Sequence, residues 1–358
     1  MKKVTIQDIA KELNISFSTV ARALNDHPAI SEATKKLVRK TAQRLNYRQN
    51  KLASSLRSGH SNTIGIMVPS LDVSFFSSVV HGIEKIMNEN GYSILLYQSN
   101  ESYESEKKGI ETFLNSRVAG IIASVAKETQ THEHFAEIQR RRIPLLFFDR
   151  ALEALQVPSV TIDDYKGGFL ATEHLIRQGY KRIVHITAGQ TIGIFKERLR
   201  GYVNALKLYD LPVDKNLILY GDFSLDFGRQ CVKELYQNNI PFDAVFALED
   251  FTAMGALQQL LDYKVHVPEE VGVIGFANES FGALVTPGLS SIDQQTVHMG
   301  EAAAELFLKM LRSEDLYNNL PERIVLAPHL IARASTARRD NSKFSRQYPQ
   351  ESEGEQLI

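Results

Sequence analysis

In the first 45 residues, hydrophobic residues recur at the spacing of one helix face, and polar residues separate them into three short helices. The pair Thr5 and Asp8 predicts a capping-box-like start for the first helix. Ser16 and Ser31 are placed to cap a second helix over 17–24 and a third helix that ends near residue 45. We expect the core faces to contain Ile6, Ile9, Ala10, Leu13, Val20, Ala23, Leu24, Leu37, Val38, Ala42 and Leu45. The pattern predicts a compact helix-turn-helix bundle.

Beyond residue 62, short β-rich apolar runs alternate with amphipathic stretches. Strands are predicted at 64–68, 93–97, 120–124, 144–148, 160–162, 182–187, 244–247 and 272–276, and helices over 77–88, 167–178, 200–207 and 251–261, among others. The alternation predicts parallel, doubly wound sheets in two lobes that divide between residues 149 and 160. The late segments 290–292 and 324–326 are expected to cross back between the lobes. The predicted fold class is therefore α/β, with two doubly wound lobes behind an all-α head.

The net charge of −1 hides a division between the two parts of the chain. Residues 1–62 contain seven Lys and five Arg against four acidic residues, a formal charge of +8, and the remainder carries −9. A basic head on an acidic body is typical of a nucleic-acid contact surface attached to a second module. A solvated basic surface without a partner would have the same charge, so the local pattern has to decide.

Candidate base-contacting residues lie on the predicted second helix, which enters the major groove in a helix-turn-helix unit. Arg22 offers two donors for guanine, Ser18 a hydrogen bond with little base preference, and Phe17 an apolar contact for a thymine methyl. A core position is the alternative for Phe17, but its polar neighbours favour the surface. Hydroxyl and amide groups near helix starts suit phosphate contacts, with a plain helix cap as the alternative for each: Thr5, Ser16, Thr19, Asn25, Ser31 and Thr34.

The segment 50–59 is capable of forming a helix but is too short to hold one alone, since isolated helices under about 12 residues are marginal in water. We expect it to fold against DNA and its counterpart from a second subunit. Leu56 suits insertion between base steps in the minor groove, and Arg57 adds positive charge beside it. A plain linker is the alternative.

Residues that follow the predicted strands form a second candidate site, because ligands of open α/β sheets bind beyond the carboxyl ends of the strands. These residues mix aromatic, carboxylate, amide and guanidinium groups, as a cleft for a hydroxyl-rich ligand requires. A helix cap or a surface ion pair is the alternative for each one alone. The candidate effector-binding residues are Ser70, Phe75, Phe76, Asp149, Arg198, Glu249, Asn278 and Gln294.

Several protein classes are disfavoured. The single Cys231 excludes a disulfide framework and a multi-cysteine metal site, and His132 and His134 are predicted to lie on a solvated helix face. Motifs for phosphate loops, nucleophile elbows and clustered metal ligands are lacking, so no enzyme activity, metal or cofactor is expected. With no secretory signal and no apolar run of about 20 residues, we expect a cytoplasmic protein without a membrane span. A transport receptor or a sugar-metabolising enzyme with the same α/β core is the alternative, and neither would need residues 1–58.

Three groups of residues at fixed spacing resemble the signature of the LacI/GalR repressor family. They are Val4-Thr5-Ile6-Gln7-Asp8-Ile9-Ala10, then Ser16, Thr19, Val20, Arg22, Leu24 and Asn25, and then Leu45-Asn46-Tyr47, Asn50, Ala53 and Leu56. The likeness extends to about residue 337, through Asp149, Asp163, Arg198, Asp250, Gly275, Phe276 and Arg333. Asn14 replaces the usual turn glycine and tolerates a left-handed backbone. Ala277 stands where sugar-binding members carry Asp, which argues against a simple monosaccharide effector.

The resemblance implies a hinge helix in which Leu56 is the intercalating residue, with Asn50 and Ala53 beside it. It also implies a periplasmic-binding-protein-like sensor in which Asp149 and Arg198 contact the effector. The implied partners are a pseudo-palindromic double-stranded DNA operator, a second copy of the chain and a sugar or sugar derivative, with repression the commoner outcome in the family. We expect a helix-turn-helix DNA-binding domain at 1–48, a hinge helix and linker at 49–61, a two-lobed effector-binding and dimerisation domain at 62–338, and a disordered tail at 339–358.

Overall fold

The computed structural model describes residues 4–47, 61–189, 193–313, 315–317 and 320–338. The chain separates into two compact units that divide between Ser61 and Asn62. The α-helices are α1 Ile6–Leu13, α2 Phe17–Leu24, α3 Glu32–Arg44, α4 Ser74–Glu89, α5 Tyr103–Asn115, α6 Glu133–Arg140, α7 Asp164–Arg177, α8 Gly193–Leu208, α9 Leu225–Gln237, α10 Asp250–Asp262 and α11 Thr296–Leu311. The strands are β1 Thr63–Val68, β2 Ser93–Gln98, β3 Gly120–Ala123, β4 Leu145–Phe148, β5 Ser159–Ile162, β6 Ile183–Thr187, β7 Ile218–Tyr220, β8 Ala244–Ala247, β9 Gly272–Ile274, β10 Ser291–Asp293, β11 Arg323–Leu326 and β12 His329–Ile331.

The three predicted helices of the first unit are confirmed, together with the groups that start them. Ser16 Oγ accepts a hydrogen bond from the Thr19 backbone N at 3.1 Å, and Ser31 Oγ accepts one from the Thr34 N at 3.3 Å. Asn14 ends α1 with a left-handed φ of 50°, as its short polar side chain allows. Local sequence thus sets the helix bounds in this unit.

The core of the first unit departs from the prediction at one position. Ile9, Val20 and Val38 are buried as expected, but Leu37 is 52% exposed. Lys35 is buried instead, with its Nζ 2.7 Å from Glu32 Oε1. The inward stripe of α3 therefore runs through positions 35, 38 and 42 at helical spacing, which turns position 37 towards solvent.

Two parallel sheets form the lobes of the second unit. Among the described residues, six strands pair in the order β11-β5-β4-β3-β1-β2, with α4 and α11 packed on one face and α5 and α6 on the other. Four strands pair in the order β7-β6-β8-β9 in the second lobe, between α9 with α10 and α7 with α8. The predicted parallel α/β architecture is confirmed. No helix in the described parts of the chain has the length and apolar character of a membrane span.

The position where the lobes divide was predicted wrongly. β5 still pairs with β4 in the first sheet, so the chain enters the second lobe only after Ile162. The strand β11 returns to the first sheet beside β5, as predicted for segment 324–326. The short strands β7 and β12 had not been predicted, because a run of three residues is too short to give a periodic pattern.

The prediction of a solvated histidine pair is also wrong for His134. This side chain is buried, and its Nε2 lies 2.8 Å from Oε1 of the buried Glu106. The same carboxylate accepts hydrogen bonds from the Ala126 N and the Thr129 hydroxyl, both at 2.6 Å. Glu106 thereby holds the loop after β3 in place, a role that depends on contacts between residues 20 to 28 positions apart in sequence.

Candidate functional site

One face of α2 presents side chains of varied chemistry to solvent. Phe17 is 57% exposed, as predicted, and Ser18 and Arg22 are exposed as well. On the opposite face, Val20 and Ala23 are fully buried and hold the helix on the bundle. The exposed residues therefore stand on a rigid element that begins at a capped end, where backbone N–H groups attract phosphate.

The hydroxyl groups predicted to contact phosphates are engaged in local caps. Ser16 Oγ lies 2.7 Å from Ser18 Oγ and 2.9 Å from Thr19 Oγ1, and Ser31 Oγ lies 2.8 Å from Thr34 Oγ1. Thr5 donates from its backbone N to Asp8 Oδ2 at 2.8 Å. These bonds are those of helix caps, the alternative to phosphate contact. Thr5, Ser16, Asn25 and Ser31 are nevertheless exposed to solvent. The candidates Asn50, Ala53, Leu56 and Arg57 lie outside the described residues.

An inner cavity of about 130 Å³ lies between the two lobes. Its apolar wall consists largely of phenylalanine rings, Phe75, Phe76, Phe195, Phe223 and Phe251. Its charged lining consists of four carboxylates and two guanidinium groups, from Glu101, Asp149, Glu249, Glu279, Arg150 and Arg198. A larger groove of about 660 Å³ shares only Asp149 and Ile194 with it. The inner cavity lies where β4 and β8 end, the position at which α/β sheets bind ligands.

Arg198 projects from α8 and is only 4% exposed. Its Nε donates to Asp164 Oδ1 at 2.8 Å, Nη1 to the Leu248 carbonyl at 2.8 Å and Nη2 to Gln294 Oε1 at 3.3 Å. The guanidinium also lies 3.7 Å from the centre of the Phe276 ring. Burial raises the pKa of Asp164 to about 6, against the lowering effect of Arg198. Three of the five guanidinium N–H groups thus orient Arg198, which leaves two N–H groups for a ligand.

Arg198 reaches this position because α7 and α8 approach closely. A Cβ on Gly168 would lie 2.2 Å from the Arg198 carbonyl oxygen, and a Cβ on Gly201 would lie 2.2 Å from the Tyr165 carbonyl oxygen. Only glycine leaves room for the two backbones at these crossings. The close crossing of α7 and α8 thereby places the Arg198 side chain at the interface between the lobes.

The side chain of Arg150 forms part of the cavity wall on the first lobe. Its Nη1 contacts both carboxylate oxygens of Glu101, at 3.0 and 2.8 Å, and its guanidinium lies 5.7 Å from the Phe76 ring centre. The neighbouring Asp149 accepts a hydrogen bond from Ser124 at 3.4 Å. Burial raises the pKa of Asp149, although Arg150 and Arg198 oppose that effect. The bond from Ser124 uses one of the two carboxyl oxygens, so Asp149 retains acceptor capacity inside the cavity.

Glu249 and Glu279 of the second lobe face the same space, and the buried Asp250 holds the backbone of Glu279. Glu249 caps α10 by accepting hydrogen bonds from the backbone N of Phe251 at 3.0 Å and of Thr252 at 2.6 Å. Asp250 accepts from Glu279 N and Ser291 Oγ, both at 2.7 Å, and burial raises its pKa to about 7. Most polar groups around the cavity are thus held in place by the protein itself, as a preformed ligand site requires.

Comparisons with known proteins agree over both units. A family model described as periplasmic binding proteins and sugar binding domain of LacI family matches residues 61–339, and one described as bacterial regulatory proteins, lacI family, matches residues 5–50. Catabolite control protein A of Priestia megaterium is 32% identical over 92% of this chain and 97% of its own length. The chain belongs to the LacI family.

Other relatives of this LacI-family chain support the same assignment. The HTH-type transcriptional regulator RegA of Clostridium saccharobutylicum is 31% identical over 93% of this chain and 99% of its own length. The cellobiose complex of the regulator CelR superimposes with a TM-score of 0.70 at 27% identity, over 93% of this chain and 100% of that one. The structure of a lac repressor dimer bound to operator has the same fold, with a TM-score of 0.83 at 23% identity. The match covers 94% of this chain and 99% of that one.

The family assignment makes this chain a helix-turn-helix transcription regulator whose second unit is an effector-controlled sugar-binding domain of the LacI type. The relatives named above are transcription regulators and not enzymes. In the first unit, the base-contact candidates of this LacI-family regulator stand together on α2.

In the second unit of this LacI-family regulator, six of the eight effector candidates line the inner cavity: Phe75, Phe76, Asp149, Arg198, Glu249 and Gln294. Ser70 and Asn278 do not line it. Ser70 Oγ accepts a hydrogen bond from the Asp72 N at 3.2 Å, and the Asn278 side chain bonds Arg333 and Asp293.

Sequence reasoning missed several residues of the cavity in this LacI-family regulator. Arg150 directly follows β4 and belongs to a strand end that the rule for α/β sheets nominates, although it was not among the effector candidates. Glu101 follows β2, and the same rule could have found it. Phe223 follows β7, which had not been predicted. Phe195 lies one turn before Arg198 on α8, and Glu279 is adjacent to the nominated Asn278.

Proposed function

We propose that this chain is a sequence-specific DNA-binding repressor whose operator occupancy is set by a small effector held between its two lobes. The observation that carries the proposal is the N-capped α2, which exposes Phe17, Ser18 and Arg22 from a basic segment. An exposed, capped helix with an arginine and small polar groups suits major-groove readout. In this proposal Thr5, Ser16, Thr19, Asn25, Ser31 and Thr34 contact phosphates.

The proposed active species is a homodimer on a pseudo-palindromic operator, because one head reads only a few base pairs and two heads one helical turn apart read enough for specificity. We assign the hinge to residues 49–61, with Leu56 inserted into the minor groove and Asn50, Ala53 and Arg57 beside it. We place the DNA-binding domain at 1–48, the effector domain at 62–338 and a tail after it. A regulator of bacterial genes works in the cytoplasm, where its DNA is.

The effector is proposed to be a neutral, hydroxyl-rich molecule related to a carbohydrate. Four carboxylates against two arginines in the cavity lining disfavour an anion, and aromatic rings suit the apolar faces of a sugar. The two remaining N–H groups of Arg198 and the acceptor oxygens of Asp149 supply directional contacts. The cellobiose bound by CelR is a ligand of the proposed kind. We propose binding and not catalysis at this site.

DNA selection tests the first part of the proposal. A preferred duplex would be enriched from a random pool and titrated in gel shifts at moderate ionic strength. Arg22→Ala is expected to weaken binding to that duplex by about 1–3 kcal/mol and to change binding to unrelated duplex little. The matched control Lys36→Ala, at an exposed position on α3, should affect both duplexes alike. Failure to enrich any duplex would refute the proposal.

Arg198→Ala tests the effector site. A sugar found by thermal-shift screening should raise the melting temperature of the wild-type protein and change its operator affinity, and both responses should vanish in the variant. The variant should also melt at a lower temperature, because Asp164 loses its buried cation. Operator affinity without sugar is the control. A normal sugar response in Arg198→Ala would place the site elsewhere.

A further inference from the structure

One side-chain contact bridges the two lobes beside the inner cavity. Ser74, the first residue of α4 in the first lobe, donates a hydrogen bond from its Oγ to Oε2 of Glu279, which follows β9 in the second lobe. The two residues are 205 positions apart in sequence. Glu279 is 5% exposed and lines the cavity, so the contact lies at the boundary between ligand space and lobe interface.

The carboxylate of Glu279 faces a helix end that lacks a cap of its own. The residue before α4 is Val73, and no side-chain cap hydrogen bond is formed there. The first N–H groups of a helix have no partner within the helix, and the helix dipole favours negative charge at that end. A carboxylate from the opposite lobe therefore supplies both an acceptor for Ser74 and a favourable charge for α4.

The loop that carries Glu279 is held firmly by its own lobe. Ala277 and Asn278 have φ values of 117° and 55°, conformations that few residues other than glycine adopt. Asn278 Oδ1 accepts from Arg333 at 2.7 Å, and its Nδ2 donates to Asp293 at 3.0 Å. Because the loop cannot easily follow the first lobe, separation of the lobes must break the contact between Ser74 and Glu279.

A second contact crosses the cleft. Lys127, in the loop after β3, lies with its Nζ 5.4 Å from the centre of the Phe223 ring of the second lobe. Lys127 is exposed and Phe223 half-buried, so this cation–π contact is weaker than a hydrogen bond to a buried carboxylate. The bond between Ser74 and Glu279 is the stronger of these two restraints on lobe opening.

We propose that Ser74 and Glu279 form an interlobe latch that favours the closed arrangement and so sets both effector affinity and the lobe movement that reaches the DNA-binding head. The allosteric consequence rests on the function proposed above, whereas the latch itself does not. A ligand shifts an equilibrium between open and closed lobes only through its different affinity for the two. The latch biases that equilibrium before any ligand binds.

The test measures lobe separation in the full chain without DNA or sugar. Spin labels on Gln130→Cys and Asp222→Cys, exposed positions near the Lys127–Phe223 contact, report the distance across the cleft. Ser74→Ala and Glu279→Ala should each lower the ratio of closed to open molecules about tenfold, which corresponds to about 1.4 kcal/mol. The double variant should open no further than Glu279→Ala alone, because both substitutions remove the same bond and Glu279→Ala also removes the charge that favours α4.

Two further variants separate the latch from general damage. Ser74→Thr keeps a hydroxyl and should restore the closed distance, and Ser77→Ala, which removes only a bond to the Ser74 carbonyl, should leave it unchanged. Melting curves check that each variant folds. Wild-type distances in Ser74→Ala and Glu279→Ala, or additive effects in the double variant, would overturn the latch. A protein that binds no operator but opens in these variants would refute the proposed function and leave the latch standing.

Discussion

At the scale of single residues, the surroundings of the inner cavity contain side chains and backbone that other bonds hold in costly states. Asp164 and Asp250 are buried carboxylates, with the pKa of Asp164 raised to about 6 and that of Asp250 to about 7 by burial. Ala277 has a φ of 117°, a region that glycine occupies far more readily. Strained and desolvated groups of this kind concentrate at functional sites because the surrounding structure enforces them.

Ala277→Gly should stabilise the protein. Relief of backbone strain, worth about 1–3 kcal/mol, should exceed the cost of about 0.4–1 kcal/mol for a more flexible unfolded chain. We expect the free energy of unfolding, measured by urea denaturation, to rise by about 1 kcal/mol. The control Ala283→Gly, at an exposed position whose φ is not left-handed, should lower it. Equal losses in both variants would show that Ala277 is not strained.

At the scale of elements, caps and close crossings decide where helices begin and how they meet. The helix α2 has only eight residues, a length at which an isolated helix is unstable in water. It depends on the buried Val20 and Ala23 and on the Ser16 cap. The crossing of α7 and α8 at Gly168 and Gly201 similarly decides where Arg198 points.

Ser16→Ala should loosen α2. Loss of an N-cap serine costs about 1 kcal/mol, so the amides of α2, beginning with that of Thr19, should exchange with solvent about fivefold faster in the full chain. Operator affinity should fall with it. The control Ser18→Ala removes a neighbouring hydroxyl but no bond to a backbone N–H, and its exchange should match wild type. Unchanged exchange in Ser16→Ala would show that the cap contributes nothing to α2.

At the scale of the whole molecule, stability depends on how many ionisable groups the fold buries. His185 is fully buried between the rings of Tyr202 and Phe246, and burial lowers its pKa from 6.5 to about 4. Between pH 6.5 and about 4, His185 is protonated in the unfolded chain but stays neutral in the folded chain. This histidine therefore lowers the free energy of unfolding as the pH falls through that range. Buried Asp164 and Asp250 act in the opposite sense, because their raised pKa values reduce stability as the pH rises from about 4 to 7.

His185→Phe isolates one of these opposing effects. Phenylalanine keeps the ring stack and cannot bind a proton. The difference in free energy of unfolding between the variant and wild type should move in favour of the variant by about 2 kcal/mol between pH 7 and pH 5. The exposed His329→Gln serves as the control and should show no such trend. A difference that does not vary with pH would mean that folding does not change the pKa of His185.

Local pattern determined much of this protein. The bounds of α2, its Ser16 cap, the exposure of Phe17 and the cores of ten strands follow from helical spacing, cap chemistry and apolar runs, all of which act within a few residues. The rule for strand ends also located six of the sixteen residues that line the cavity, since parallel strands end at one edge of a sheet.

Tertiary contacts decided the rest. The burial of Lys35 in place of Leu37, the pairing of His134 with Glu106, and the strands β7 and β12 depend on neighbours distant in sequence. The contact between Ser74 and Glu279 has no sequence signature, because neither residue predicts the other across 205 positions. Spacing along a chain determines which face of an element is apolar, but only packing determines which polar groups meet in the space between two lobes.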